Sequence, residues 1–107
     1  MITSQEAKQK LADFEDVLKN KISETIQELD KELQARTIAA INKRENHAHL
    51  YLMMNSGWLA GIPENAMNMF ADALREYVEG YGYTVTICYN YMTSSFEFHW
   101  SWKEKEK

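Results

Sequence analysis

From Thr3 to Asn46 the chain contains neither glycine nor proline, and this limits what it can fold into more than any other feature of the sequence. Leu, Ala, Glu, Gln and Lys fill the stretch, and these are the residues that lose least on entering a helix. Apolar side chains recur at Leu11, Phe14, Leu18, Ile22, Ile26, Leu29 and Leu33. Steps of three and four draw one stripe along a helix, with Lys, Asp and Glu between. Thr3 or Ser4 supplies an N-cap, and Glu6 an acidic first turn. The pattern predicts one helix over residues 1–45, its stripe continuing through Ile38 and Ile41. It ends near Lys43-Arg44-Glu45-Asn46, where basic residues suit a C-terminus and Asn tolerates a left-handed exit. A competing reading makes Thr37 to Asn42 a strand and Lys43 to Asn46 a turn. Gln34, Ala35, Arg36, Ala39 and Ala40 favour the helix.

After Asn46 the period changes from helical to two. Ala48, Leu50, Leu52 and Met54 point one way and His47, His49, Tyr51 and Met53 the other, which predicts a strand over 47–54 with one core face. Asn55-Ser56-Gly57 ends it, and Trp58 to Ile62 is a loop carrying an apolar plug. Pro63-Glu64 opens a second helix. Its buried stripe is Ala66, Met67, Phe70, Ala73, Leu74, Tyr77 and Val78, and Gly80 and Gly82 stop it. Two strands follow, 83–91 and 95–102, joined by a tight turn at Met92-Thr93-Ser94. Val85, Ile87, Tyr89 and Tyr91 share a face with Phe96, Phe98, Trp100 and Trp102. Thr84, Thr86, Cys88 and Asn90 share the other with Ser95, Glu97, His99 and Ser101.

The order helix-strand-helix-strand-strand predicts an α+β protein of two layers: a small, mainly antiparallel sheet with both helices on its apolar face and the last strand in the middle. The crossover between the first two strands is expected to be right-handed. One domain over 1–107 accounts for the length, with 103–107 a frayed charged tail. The long helix exceeds so small a sheet, so its leading turns are expected to overhang.

The sequence has 45% hydrophobic and 26% charged residues, an ordinary globular balance that sets disorder aside. The net charge of -4 disfavours nucleic acid, whose binding draws on Lys and Arg. A single cysteine, Cys88, excludes an internal disulfide and suits a reducing compartment. With no signal-like N-terminus and no apolar run of ~20 residues, the expectation is a cytoplasmic protein that does not enter membranes.

Three stretches carry a resemblance. They are Thr37-Ile38-Ala39-Ala40-Ile41 leading into a short strand, Leu74 to Val85 with its Gly80-Tyr81-Gly82-Tyr83 helix stop, and the closing Phe96-Glu97-Phe98-His99-Trp100-Ser101-Trp102. In these the last two thirds of the chain resemble small uncharacterised proteins encoded by phages and prophages of Gram-positive bacteria. The shared features encode fold, not chemistry, so the resemblance implies a phage-borne accessory protein and carries over no site residue.

The candidates for chemistry are few. His47, His49 and His99, with Cys88, Glu97 and Tyr51 nearby, are candidate metal ligands, because a His-x-His pair on a strand aims both rings to one face at a spacing of about 7 Å. The plainer account of the same residues is a solvated sheet face. Cys88 lacks a neighbouring base or helix N-terminus and reads as a buried or half-buried structural cysteine, not a nucleophile. No phosphate loop precedes a helix and no nucleophile elbow is present, so no enzyme is expected and no cofactor is called for. Methionine-rich apolar surface adapts to partners, which singles out Met53, Met69 and the loop residue Trp58 for partner binding. A core plug is the plainer role of Trp58.

The sequence thus points to a non-enzymatic protein-protein interaction protein, a phage-derived accessory or anti-defence inhibitor that binds a host protein. Homo-oligomerisation is assigned to Leu11, Phe14, Leu18, Ile22 and Ile26. The alternatives are a small-molecule or metal-binding module on the polar sheet face, and a virion or assembly component.

Overall fold

A computed structural model of the chain describes residues 1–53, 57–90 and 92–102. The elements are α1 (Ser4–Asn42), β1 (His47–Met53), a single 3-10 turn (Glu64–Ala66), α2 (Met67–Glu79), β2 (Thr84–Asn90) and β3 (Ser95–Ser101). Met54, Asn55, Ser56, Tyr91 and the tail 103–107 lie outside the described residues.

The helix reading of 37–42 holds, and the strand alternative does not. Thr3 is the N-cap, its Oγ1 accepting the Glu6 amide at 3.1 Å. At the other end the Glu45 amide reaches back to the Ala40 carbonyl and the Arg44 amide to that of Ile41, both at 2.9 Å. This is the Schellman pattern, and it needs one left-handed residue. Arg44 occupies that place with φ 62°, not Asn46 as the sequence suggested. The capping bonds count from Ala40, so the geometry falls on whichever residue stands at that offset.

The sheet has the order β1-β3-β2, and both pairings are antiparallel. The last strand enters the centre because it can pair on both edges: Leu50 and Ile87 flank Phe98, and Ala48 and Val85 flank Trp100. The apolar face so assembled carries Leu50, Leu52, Phe96, Phe98 and Trp100, all nearly sealed from water. Both helices pack on it, α1 chiefly over β1 and α2 over β2. Leu59 and Ile62 plug the loop side with essentially no exposure, whereas Trp58 stays 41% exposed. The plug is therefore made of Leu59 and Ile62, smaller side chains that fit under the loop.

Strands of seven residues span about 24 Å. A helix of 39 residues spans about 58 Å. The mismatch shapes the molecule, which measures 60 × 30 × 25 Å. Its radius of gyration is 16.6 Å, against about 13 Å for a compact chain of this length. Burial of α1 begins only at Leu18 and continues through Ile22, Thr25, Ile26, Leu29 and Leu33 to Ala40. Residues 4–17 project about 21 Å beyond the body.

Two sequence assignments along α1 change accordingly. Leu18, Ile22 and Ile26 are 8%, 3% and 6% exposed and belong to the core, so they are not available for self-association. Ile38 and Ile41 are exposed, and the inward stripe runs from Leu33 through Thr37 to Ala40. Five residues of helix from Leu33 to Ile38 turn it about 140° off the stripe, which is why Ile38 cannot continue it.

Candidate functional site

The face of the sheet away from the helices is open. His49 and His99 stand directly opposite each other on β1 and β3, their ring centroids 5.6 Å apart. Glu97, two residues before His99, sets Oε1 2.9 Å from His99 Nε2. The Tyr51 hydroxyl donates to the same oxygen at 3.2 Å. That hydrogen bond, and then the carboxylate's charge, raise the Tyr51 pKa above its ordinary value. Cys88 pairs with Glu97 on the other side. It is exposed, not buried or half-buried as the sequence suggested, because its place in the period of two puts it on the wet face.

The structure thus brings His49, His99, Glu97 and Tyr51 together and leaves out His47. His47 is the register partner of Ser101, and its Nδ1 lies 3.3 Å from Asn46 Oδ1. Among the described residues no three His, Cys, Asp or Glu side chains form a group able to hold a metal ion. The Glu97 carboxylate is engaged by its own neighbours, a tyrosine and an imidazole. Both contacts are exposed to solvent, the one from Tyr51 across the strand pair and the one from His99 along β3.

The proposed partner-binding residues are exposed but scattered. Met53 ends β1 on the open sheet face, and Met69 is on α2 in the opposite layer. Trp58 walls a shallow open depression with Glu24, Gln27, Glu28 and Lys31 of α1. They do not make one patch.

A better-formed site lies elsewhere. The C-terminal part of α1, the end of α2 and the turn that follows it line a groove of about 400 Å³ above the sheet, within the size range of ligand pockets. Trp100 forms its floor, 2% exposed, and its indole Nε1 donates to Thr37 Oγ1 at 2.8 Å. Thr37 Oγ1 in turn donates to the Leu33 carbonyl at 2.8 Å, so the hydroxyl both accepts and donates. Tyr77, Tyr81 and Tyr83 line the α2 side. Asp30 stands at the opposite wall, accepting from the Tyr77 hydroxyl at 2.7 Å and from Gln34 Nε2 at 2.6 Å. The bond to Asp30 raises the Tyr77 pKa, with the Tyr81 contact, burial and the carboxylate's charge adding to it. The sequence reading missed this groove. It placed Tyr77 in a buried stripe and Asp30 on a solvated face. The available signal was three tyrosines within seven residues around the Gly80-Gly82 stop.

Fold and surface together define a two-layer α+β protein: two helices over a three-stranded antiparallel sheet, one helix overhanging and one aromatic groove between them. Comparison with protein families, curated proteins and solved structures gives no match to the chain. No helix among the described residues is long and apolar enough to cross a membrane.

Proposed function

We propose that the chain is a non-catalytic protein-interaction module that works as a homodimer joined through the projecting turns of α1. The observation that carries this reading is the bare row Leu11, Phe14 and Val17, which are 57%, 49% and 65% exposed where α1 has no neighbour among the described residues. Apolar side chains in line on an isolated helix are normally covered.

The occupant is a second copy, because the charges fit an antiparallel pairing. With Leu11 of each helix laid on Phe14 of the other, Lys8 falls across from Glu15 of the second copy, twice by symmetry. The stem of Lys10 lies over Val17. A two-fold interface needs such self-complementarity. So short an overlap sits below the ~1,200 Å² of stable complexes, which puts association in the micromolar range. A dimer carries two copies of the groove, which raises avidity for a target with repeated sites. The phage resemblance of the sequence makes a host protein the first target to try.

Sedimentation equilibrium on the full chain tests the dimer. Leu11→Glu with Phe14→Glu should give a monomer with unchanged helicity, since neither residue touches the core. Lys8→Glu and Glu15→Lys should each weaken the dimer, and the two together should restore it. A strict monomer at several hundred micromolar, or no rescue by the double swap, refutes the assignment.

A further inference from the structure

The groove over Trp100 has a chemistry of its own. Among the described residues that line it, Asp30 is the only charged side chain and none is Lys, Arg or His. Each Asp30 oxygen accepts one neutral donor, from Tyr77 and from Gln34. The carboxylate is therefore fixed in place but not neutralised, and each oxygen keeps a lone pair for another donor. Tyr77 and Tyr81 meet edge to face with centroids 5.4 Å apart, and both line this space. A carboxylate beside tyrosine faces is the arrangement that holds an organic cation.

The rim narrows the choice of cation. Ile38 and Ile41, one turn apart on α1, are 58% and 53% exposed, and Tyr81 is 69% exposed. They extend apolar surface beyond the space a small ion fills. A divalent metal finds one carboxylate here where it wants several oxygen ligands. A phosphate backbone is repelled by Asp30. A polypeptide that offers a basic side chain with an apolar residue nearby matches both parts.

We propose that the groove binds a basic segment of a partner polypeptide, an arginine or lysine side chain lying between Asp30 and the rings of Tyr77 and Tyr81, with an apolar neighbour on Ile38 and Ile41. The inference rests on the reading of the chain as a protein-binding module, and it is independent of the dimer.

Selection from a random twelve-residue peptide library tests it. The bait is the full chain carrying Leu11→Glu and Phe14→Glu, so that loss of dimerisation cannot be confused with loss of groove binding. Enriched peptides should carry Arg or Lys three or four positions from a large apolar residue. The tightest of them should shift the Trp100 indole N–H resonance. Its affinity should fall about tenfold in Asp30→Asn, which keeps the shape and the bond from Tyr77, and about as much in Tyr81→Ala, an exposed position. Raised salt should weaken it further. Four results overturn the proposal: no enrichment, acidic or uncharged peptides, resonance shifts away from the groove, or affinity unchanged in Asp30→Asn. Butylguanidinium binding as tightly as the best peptide would overturn the polypeptide assignment.

Discussion

Replacing Thr37 by valine removes the acceptor of a buried donor with little change of shape. The Trp100 indole is 2% exposed, and its only donor is directed at Thr37 Oγ1, 2.8 Å away. Valine keeps the branched outline and a nearly equal helix preference, so propensity neither adds nor offsets anything. The bond from Thr37 to the Leu33 carbonyl is lost too, but such i−4 bonds contribute little or slightly destabilise. What remains is a buried N–H without an acceptor, which costs about 1–3 kcal/mol. Thr37 and Trp100 both border the groove, so water entering there relieves part of the penalty and sets the expectation at about 1–2 kcal/mol. Each kcal/mol lowers Tm by roughly 4–8 °C in a domain of this size. Thr37→Ser retains the hydroxyl and loses a half-buried methyl, about 0.5 kcal/mol. Urea unfolding measures both, and the indole N–H resonance should move in Thr37→Val alone. A loss in Thr37→Val below about 0.5 kcal/mol refutes the reasoning, because the bond would then carry less than a buried donor must. So does a serine variant that costs as much as valine.

Two further outcomes follow from the same packing. Arg44→Gly should stabilise the chain by about 0.5–1 kcal/mol, because the left-handed residue at the end of α1 carries a Cβ it does not need; unfolding midpoints that fall instead would show the Arg44 side chain is in use. Tyr77 has its pKa raised above the ordinary 10.0 by the bond to Asp30, so its neutral form is the one the fold favours. The unfolded chain then ionises first, and stability is full below pH about 10 and declines as pH rises from there toward the folded pKa. Tyr77→Phe should flatten that decline in urea titrations at rising pH, and an unchanged slope would show that Tyr77 is not its source.

Most of the layering was legible because each element repeats one period long enough to be seen. In β1 the alternation of His47, Ala48, His49 and Leu50 assigns both faces before any partner strand is known. In β3 the aromatics at 96, 98 and 100 require cover on one face only, and pairing on both edges sets them between the apolar side chains of β1 and β2. Overhang too follows from arithmetic, since 39 helical residues exceed what seven-residue strands can roof. Where the roof stops is another matter. Leu18 and Leu11 are identical in the pattern, yet one is 8% exposed and the other 57%. Periodicity fixes the azimuth of a side chain and is silent on its height along the helix axis. Height depends on where α1 sits on β1, a tertiary quantity.

The groove was hidden for a related reason. Its walls come from the two elements farthest from one another in character: the polar edge of α1, where Asp30 and Gln34 read as ordinary solvated residues, and the end of α2, where Tyr77 reads as core. Neither pattern is wrong about its own helix. Tyr77 is partly buried and Asp30 partly exposed. The space between them exists because the α1 stripe, after Leu33, carries the small residues Thr37 and Ala40 instead of another leucine. With so little side chain between α1 and Trp100, the threonine hydroxyl reaches the indole and Ile38 and Ile41 are left at the rim. A leucine at 37 would fill the floor of the groove and take away the acceptor for Trp100 at once. The same threonine therefore completes the core and opens the site, which places a binding surface where the periodic signal of α1 is weakest.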